Sequence, residues 1–533
     1  MAQSQFDPDL DAVVVGAGFA GLYMLYRLRG LGLRARVFEA GGGVGGTWYW
    51  NSYPGARCDI ESMEYSYQFD EALQQEWVWS ERYATGPEIL RYLNHVADRY
   101  NLRKDIQFNT RVTGAVHDDA SGLWKVGLSD GSTLTSRYCI MATGCLSAAN
   151  LPDIPGRDSF AGKIVHTGNW PRDGIDFSGK RVAVIGTGSS GIQVIPEIAR
   201  TAAHLTVFQR TASYSIPARN AVLDPEVQAE VKRGYKAMRQ RVALMPIGAE
   251  FFHRDVSALA EPAEARLAVM EERWQRGGTS FGAAFNDLMV NEDANKIAAD
   301  FVRDKIRSTV KDPATAEALL PKHLFGIKRI CLDSDYYATY NRPNVSLVAM
   351  QGRSIERIVP EGLVFDGKTH AVDIIVFATG FDAMTGTLLR MDIRGRNGLT
   401  LGQKWAAGPK TYLGIQTQGF PNLFMVTGPG SPSVFTNVVP SIEQDVNFIA
   451  GAIGHLQGQG LHEMEATTEA EEGWVKEVAA IADSTLYTKG NSWYLGSNIP
   501  GKARVFLAWI GFPTYVERCR QVVARGYEGF RCQ

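Results

Sequence analysis

The charged residues best placed for chemistry are two adjacent cations, Lys328 and Arg329, and a single acid, Asp59. The two cations precede a short apolar segment. They are suited to hold a phosphate or a reacting anion, because a guanidinium keeps its charge near neutral pH. Asp59 follows a Pro-Gly turn, and the same position also suits an acid that caps the next turn or helix. Spacing alone leaves a solvated surface pair open for the two cations. These residues need a structural frame before a function can be assigned.

Two glycine-rich segments, residues 13–21 and 182–191, supply that frame. Each is typical of a buried strand, a tight turn and a helix start, the arrangement that binds a dinucleotide pyrophosphate on backbone N–H groups. The first glycine permits the turn, the second lets the pyrophosphate approach and the third lets the helix pack on the strand. We therefore predict two dinucleotide sites. Their candidate residues are Gly16, Gly18 and Gly21 in the first, and Gly186, Thr187, Gly188, Ser189, Ser190, Gly191 and Gln193 in the second.

The residue at the end of the second strand distinguishes the two sites. Glu39 follows the strand predicted over residues 35–38, where a carboxylate accepts from ribose hydroxyls and repels a 2′-phosphate. In the second unit Arg210 and Thr211 stand at the corresponding place, and an arginine presents a fork of donors that suits a phosphate. The alternative for Arg210 is a solvated surface residue. The acid at the strand end of the first unit therefore favours FAD, and the arginine at the strand end of the second unit favours NADPH.

Another glycine-rich stretch, residues 41–46, also favours FAD, because it is able to follow the long cofactor toward its ring. A flexible loop is the alternative, but the aromatic residues that come next argue against flexibility alone. The remaining candidates for binding the cofactors are Gly46, Thr47, Trp48, Arg57, Cys58, Asp59, Tyr65 and Val112.

Composition excludes several classes of protein. The chain has 533 residues, 45% hydrophobic and 21% charged, and its net charge of -2 argues against a nucleic-acid or anionic-membrane surface. No apolar run approaches the roughly 20 residues of a membrane-spanning helix. The first strand begins too early for a signal peptide, and the six cysteines have no zinc or disulfide spacing. We expect a cytoplasmic protein with no metal site and no obligate protein partner.

The predicted fold class is α/β, with two Rossmann-like dinucleotide-binding domains and a helical insertion in the second. An apolar strand ending in Ala-Thr-Gly occurs at 142–144 and again at 378–380, as expected for two such domains. We predict that the FAD-binding domain comprises residues 1–150 and 382–533. The NADP-binding domain would comprise 151–213 and 328–381, and the helical insertion 214–327, where apolar residues recur at helical spacing.

The linker between the two glycine motifs carries the pattern Phe160-x-Gly162-x-x-x-His166-x-x-x-Trp170-Pro171. With the flanking motifs, it resembles the fingerprint of type I Baeyer–Villiger monooxygenases over essentially the whole chain. Residues 45–50, 53–59, 328–329 and 431–433 are also similar to that family. Flavin monooxygenases that oxidise nitrogen and sulfur have a similar linker that ends differently, so Trp170-Pro171 favours the Baeyer–Villiger group.

The resemblance implies roles for individual residues. Arg329 would be the active-site arginine beside the flavin, and Asp59 would pair with it. Arg210, Thr211 and Lys328 would hold the 2′-phosphate of NADPH. Trp493 would lie on a mobile loop that closes over the nicotinamide cofactor, and His166 would be structural. The ketone pocket would include Cys145, Leu146, Val434 and Phe435.

The activity that the resemblance implies is an FAD-containing, NADPH- and O2-dependent conversion of ketones to esters or lactones, through a C4a-peroxyflavin and a tetrahedral adduct. Arg329 would stabilise both negatively charged species. A heteroatom monooxygenase for sulfides or amines is the alternative, to be separated by rates of product formation. A more remote alternative is a nucleotide-binding redox sensor, whose flavin would stay oxidised under anaerobic NADPH.

Overall fold

Two β-sheets carry the two glycine-rich turns. The structure, a computed structural model, describes residues 7–533. In its first part, strands and helices alternate at the N-terminus and three longer strands follow: β1 (Leu10–Val15), α1 (Phe19–Gly30), β2 (Ala35–Phe38), α2 (Thr47–Trp50), α3 (Glu71–Glu76), α4 (Gly86–Arg99), β3 (Ile106–Gln107), β4 (Val112–Asp118), β5 (Leu123–Leu128) and β6 (Thr133–Met141).

The middle of the chain comprises β7 (Lys163–His166), β8 (Arg181–Ile185), α5 (Ser189–Thr201), β9 (His204–Gln209), β10 (Ser215–Pro217), α6 (Pro225–Arg233), α7 (Tyr235–Val242), α8 (Ala263–Arg276), α9 (Glu292–Thr309), α10 (Pro313–Ala318), β11 (Cys331–Asp333), α11 (Tyr336–Thr339), β12 (Val345–Ala349), β13 (Arg357–Val359), β14 (Gly362–Phe365), β15 (Lys368–Ala371) and β16 (Ile374–Phe377). It contains the second glycine-rich turn, between β8 and α5, and a run of helices, α6 to α10, between β10 and β11.

The last part is mainly helical. It comprises α12 (Gly386–Leu389), β17 (Asp392–Arg394), α13 (Leu401–Lys404), β18 (Leu423–Met425), α14 (Val438–Gln459), β19 (Met464–Ala466), α15 (Thr468–Asp483), α16 (Phe512–Ala524) and β20 (Phe530–Cys532). Short 3-10 helices occur at Arg103–Asp105, Arg157–Ser159, Thr279–Ala283, Arg396–Gly398, Ser433–Phe435, Leu486–Lys489 and Trp493–Leu495.

The first sheet has the strand order β17-β4-β5-β6-β1-β2-β3, and β18 pairs with β6. Strand β1 is parallel to β2 and to β6, and its residues Ala12, Val13 and Val14 are completely buried, as expected for a parallel strand covered on both faces. Because β17 and β18 join strands from the first 150 residues, the chain returns to this sheet after its middle part.

The second sheet is entirely parallel, with the order β12-β9-β8-β16-β7. Helices α6 to α10 lie between β10 and β11, which pair with each other and not with this sheet. The chain segment that carries Lys328 and Arg329 therefore leads into β11, beside the helical insertion. A small antiparallel sheet, β13-β14-β15, follows β12.

The third glycine of the first turn allows a close approach that no other residue permits. A Cβ atom at Gly21 would overlap the carbonyl oxygen of Gly16, whereas a Cβ atom at Gly30, at the end of the same helix, would meet nothing within 4 Å. The same overlap occurs between Gly191 and Gly186 in the second turn. Both helices therefore lie against their strands at a distance that only glycine allows.

We expect Gly21→Ala to lower the free energy of unfolding by about 1–3 kcal/mol, the usual cost of overpacking a tight contact. Gly30→Ala is the matched control, and it should leave stability unchanged or slightly raised, because alanine is the better helix former. Thermal unfolding of the two variants and the wild type, at the same cofactor concentration, measures the difference. Equal melting temperatures for the two variants would contradict this account of the packing.

Candidate active site

The two glycine-rich turns face one cavity of about 1450 Å³. Its walls include Val15 and Ile185 at the carboxyl ends of β1 and β8, together with Arg329, Val434 and Trp493 from later parts of the chain. In α/β sheets, ligands bind at the carboxyl ends of parallel strands. The cavity is therefore where two dinucleotides bound to these turns would meet.

Each turn has the backbone geometry of a pyrophosphate site. Gly16 and Gly186 have φ values of +103° and +108°, a region that other residues rarely adopt. Gly18 and Gly188 are the N-cap residues of α1 and α5, and neither helix start is capped by a side chain. The first N–H groups of both helices are thus available to an anion, and the helix dipoles favour negative charge there.

Glu39 joins the first turn to the second glycine-rich stretch. Its carboxylate accepts from the backbone N–H of Ala17 at 2.8 Å and from that of Gly41 at 2.7 Å, and the side chain is buried at the cavity wall. A Cβ atom at Gly46 would lie 2.9 Å from the Cα atom of Gly18, so the two glycine segments are in direct contact. Glu39 and both glycine segments therefore lie on one part of the cavity wall, where we predict the adenosine and pyrophosphate parts of FAD to bind.

Arg210, Thr211 and Lys328 line the same cavity, near the second glycine-rich turn. Burial lowers the pKa of Lys328, and the neighbouring charge of Arg210 lowers it further. The hydroxyl of Thr187, in the second turn, donates to the carbonyl oxygen of Thr211 at 3.1 Å. Two cations that repel each other are stabilised by an anion between them, so this corner suits the 2′-phosphate of NADP.

Arg329 and Asp59 form a bidentate ion pair at the cavity wall. The Nε and Nη2 groups of Arg329 donate to the two carboxylate oxygens of Asp59 at 2.7 and 2.8 Å. The Nη1 group donates to the carbonyl oxygen of Val434 at 2.9 Å. Both side chains are largely buried, with 29% and 22% of their surface exposed. The pair thus fixes the plane of the guanidinium by contacts from two other parts of the chain.

The charges of this pair support each other. Burial acts to lower the pKa of Arg329, but the charge and hydrogen bonds of Asp59 outweigh it, so the pKa lies above the usual value for arginine. Burial likewise acts to raise the pKa of Asp59, and Arg329 outweighs it, so the pKa lies below its usual range. Both groups therefore remain ionised near neutral pH. The cavity holds a permanent, oriented positive charge.

The fingerprint linker connects the two units. His166 ends β7, and its Nδ1 atom accepts from the N–H of Gly168 at 2.9 Å. Burial lowers the pKa of His166, so the ring is neutral near pH 7. Four residues later, the N–H of Trp170 donates to the carbonyl oxygen of Trp50 in the first unit, and the Trp170 ring is buried. These contacts support a structural role for His166.

A second link between the units passes through Gln193 on α5. The hydroxyl of Tyr53 donates to its Oε1 atom at 2.7 Å, and its Nε2 group donates to the carbonyl oxygen of Arg57 at 3.0 Å. A Cβ atom at Gly55 would lie 2.5 Å from the backbone oxygen of Gln193. The segment that carries Asp59 is therefore held directly against the second glycine-rich unit.

Comparison with known proteins decides the family. A family model described as pyridine nucleotide-disulphide oxidoreductase matches residues 13–249. A phenazine N-monooxygenase from Lysobacter antibioticus is 45% identical over 98% of this chain and 96% of that protein. A Baeyer–Villiger monooxygenase from Pseudooceanicola batsensis is 44% identical over 97% of this chain and 95% of its own length. A crystal structure of OTEMO in complex with FAD and NADP has a TM-score of 0.96 and 40% identity, over 99% of this chain and all of that one.

The chain belongs to the Baeyer–Villiger monooxygenase family. The family and the α/β fold with two dinucleotide-binding units, both predicted from the sequence, are confirmed. FAD and NADP, the predicted cofactors, are the two ligands of the OTEMO crystal structure. The sequence predicts FAD beside Glu39 and NADP beside Arg210.

The structure brings most of the predicted site residues of this Baeyer–Villiger monooxygenase family member to the one cavity. The residues that line it are Gly16, Gly18, Glu39, Gly46, Thr47, Trp48, Arg57, Cys58, Asp59, Tyr65, Val112, Cys145, Leu146, Gly186, Thr187, Gly188, Ser189, Ser190, Gln193, Arg210, Thr211, Lys328, Arg329, Val434 and Trp493. Gly21 and Gly191 lie behind the turns, where they pack helix against strand.

At two residues the structure differs from the simple expectation. Phe435 does not line the cavity, because its ring packs in an aromatic cluster with Tyr487, Tyr494 and Phe506, at centroid distances of 4.9, 4.4 and 5.2 Å. Arg57 lines the cavity as predicted, but its Nη1 group is held by Glu81 and by the carbonyl oxygen of Tyr83.

Some residues at the cavity were not identified from the sequence. Thr427 lines the wall with a φ of +54°, which is unusual for a β-branched residue. Asn498 also lines it, and its side-chain amide donates to the carbonyl oxygen of Phe381 at 2.8 Å. Lys502 forms an ion pair with Asp382 at 2.5 Å. This pair attaches the chain after Trp493 to residues 381–382, the segment that also binds Asn498. These pairs are more than 100 residues apart, and no local pattern marks them.

Within residues 7–533, no helix is both long and apolar enough to cross a lipid bilayer. In the same part of the chain, no group of three or more His, Cys, Asp or Glu side chains is arranged to hold a metal ion. All six cysteines are free thiols.

We expect Arg210→Ala to raise the KM for NADPH by about 10- to 100-fold and to leave the KM for NADH nearly unchanged, because a hydrogen bond to a charged group contributes about 1.5–3 kcal/mol. Arg200→Ala is the control, since this exposed arginine on α5 pairs only with Glu197. Steady-state kinetics with both nucleotides provide the measurement. An unchanged preference between NADPH and NADH in Arg210→Ala would show that the 2′-phosphate binds elsewhere.

Proposed function

We propose that this protein converts ketones to esters or lactones, with FAD and NADPH as cofactors and O2 as the oxidant. The observation that carries the proposal is the buried Arg329–Asp59 pair at the cavity where both dinucleotide grooves converge. When bound, FAD supplies the activation of O2 with electrons from NADPH. The protein's own contribution is to orient the reactants, to exclude water and to stabilise negative charge.

Arg329 is the group we assign to charge stabilisation. A guanidinium has five N–H donors, and three of them are used by Asp59 and Val434. The remaining two are free for the oxygen on which negative charge develops when a ketone carbonyl is attacked. Removal of one such donor commonly costs about 3 kcal/mol of barrier.

Asp59 acts through Arg329 in this proposal. Its two oxygens hold the Nε and Nη2 groups, so the guanidinium cannot rotate about its own axis without losing both bonds. The low pKa of Asp59 keeps the carboxylate charged and unable to donate a proton near neutral pH. We therefore assign Asp59 to positioning and to binding the nicotinamide end of NADPH.

Enclosure of the site is the other contribution of the chain. Trp493 and Asn498 line the cavity, and the segment they belong to is attached at Phe381 by Asn498 and at Asp382 by Lys502. Exclusion of water strengthens the electrostatic effect of Arg329 and protects reactive species from hydrolysis. We propose that this segment closes over the nicotinamide cofactor and that Trp493 contacts it.

The arrangement of domains is part of the same proposal. Residues 1–150 and 382–533 would bind FAD, residues 151–213 and 328–381 would bind NADP, and residues 214–327 would be the insertion. The pairing of β17 and β18 with the first sheet, and of β12 and β16 with the second, supports these boundaries. We also propose that the enzyme works in the cytoplasm without an obligate protein partner, which its reduced cysteines support.

A second candidate activity is oxidation of a heteroatom. A relative with 45% identity is named a phenazine N-monooxygenase, so aromatic nitrogen is a substrate class for at least one similar protein. The experiment that separates the two is a panel of linear, cyclic and aromatic ketones together with sulfides and N-heterocycles, with product identification and initial rates for each. Faster formation of N-oxides or sulfoxides than of any ester would overturn the ketone proposal. Consumption of NADPH with no oxygenated product would overturn both.

We expect Arg329→Ala to retain anaerobic reduction of the bound flavin by NADPH and to lose ester formation by a factor of at least about 100. Arg329→Lys keeps the charge but cannot bind Asp59 through two parallel bonds, so its activity should be intermediate. Stopped-flow reduction and product yield per NADPH consumed give the two readouts. Wild-type ester formation by Arg329→Ala would exclude the assigned role.

A further inference from the structure

We propose that Asp445, in its neutral form, is a positioning residue that holds Thr427 in the left-handed backbone conformation. Thr427 begins residues 427–434, which we call the wall loop and which lead to the contact with Arg329. Asp445 would thereby position this loop against Arg329. Asp445 lies on α14 and is completely buried. It does not line the cavity, and it touches neither Arg329 nor Asp59. The activity part of this proposal rests on the proposed function, whereas its stability part does not.

Two residues held by this network have strained backbones. The N–H of Thr427 donates to the Oδ2 atom of Asp445 at 2.8 Å, and the carbonyl oxygen of Leu413 accepts from the hydroxyl of Tyr515 at 2.9 Å. Thr427 has a φ of +54° and Leu413 a φ of +58°, values that β-branched or bulky residues adopt only when their surroundings enforce them. Asp445 and Tyr515 therefore hold both strained residues from one point.

The two oxygen contacts of the Tyr515 hydroxyl favour a proton on Asp445. The hydroxyl oxygen of Tyr515 lies 2.6 Å from the Oδ1 atom of Asp445 and 2.9 Å from the carbonyl oxygen of Leu413. A separate linear hydrogen bond in each of these two contacts takes two protons, and the tyrosine hydroxyl supplies one. A neutral Asp445 supplies the other by donating to Tyr515, which then donates to Leu413. Its second oxygen remains free to accept from Thr427.

The surroundings favour the neutral acid. Burial raises the pKa of Asp445 to about 7 and outweighs the hydrogen bonds with Tyr515 and Thr427, which act to lower it. The titratable groups that face it are Tyr515 and Cys519, both on α16, and the pKa of each is raised by burial. Neither group is charged near neutral pH, so neither offsets the cost of ionising Asp445.

The wall loop transmits this clamp to the site. Thr427 begins the loop at the end of β18, and Gly428 packs against Gly414, the residue after the strained Leu413. The loop ends at Val434, whose carbonyl oxygen accepts from Arg329 at 2.9 Å. Thr427 and Val434 both line the cavity. A shift of Thr427 would thus move the one backbone acceptor that, with Asp59, orients the guanidinium.

The first test compares Asp445→Asn with wild type in thermal unfolding between pH 4.5 and 8. The ordinary pKa of aspartate is about 3.9, and the folded-state value is higher, so ionisation favours the unfolded chain between the two values. The wild-type melting temperature should therefore fall as pH rises through this range, by about 3 °C more than that of Asp445→Asn. Asp483→Asn, at an exposed position, should follow the wild-type curve. Parallel curves for wild type and Asp445→Asn would overturn the neutral-acid assignment.

The second test measures ester formed per NADPH consumed, together with anaerobic flavin reduction. Asp445→Asn keeps an acceptor for Thr427 and a donor for Tyr515, so its yield should stay within about twofold of wild type. Asp445→Leu removes both, and its yield should fall by about 10- to 100-fold, the cost of a displacement near 1 Å at a reacting group. Flavin reduction should change little in either variant.

The outcomes of the two tests are distinguishable. Equal yields for Asp445→Leu and wild type would overturn the link from Asp445 to Arg329, and so would equal losses in Asp445→Asn and Asp445→Leu. If Asp445→Leu does not fold, the pH comparison with Asp445→Asn still decides the neutral-acid assignment. Absence of ester formation by the wild type would overturn the proposed function but would leave the pH comparison intact.

Discussion

The ion pair between Arg329 and Asp59 is the interaction on which the rest of the site depends. The two residues are 270 positions apart, and they meet only because both dinucleotide-binding units close on one cavity. A cation that is largely buried needs a partner that compensates its charge and hydrogen bonds. Asp59 provides this compensation and at the same time holds the guanidinium in one plane, so the positive charge is oriented before any ligand binds.

The position of this pair is set by contacts between the two units. Gln193, on the first helix of the second unit, is bonded to Tyr53 and to the backbone of Arg57, two residues before Asp59. The linker that contains His166 and Trp170 connects the same two units at another point. These two separate attachments hold the two dinucleotide sites beside each other, and transfer of a hydride between cofactors requires such proximity.

Backbone geometry, more than side-chain chemistry, shapes the cofactor grooves. Gly16 and Gly186 take up conformations that other residues disfavour, and Gly21 and Gly191 allow helix and strand to touch. The uncapped starts of α1 and α5 then present N–H groups to the cavity. Side chains at the strand ends add selectivity, since Glu39 is buried against backbone donors while Arg210 faces a second cation.

The sequence by itself determined the two dinucleotide units, their order and the two cofactors, because glycine spacing and strand-end residues act within 30 positions of one another. It also predicted that Asp59 and Arg329 are active-site residues and that residues 166–170 belong to a structural linker, because these motifs resemble those of a known family. The tertiary structure alone decided that Phe435 packs among aromatic rings, that Arg57 is occupied by Glu81, and that Asp445 holds Thr427. These contacts join residues whose pairing depends on how distant elements pack, and packing between distant elements leaves no periodic signal in the chain.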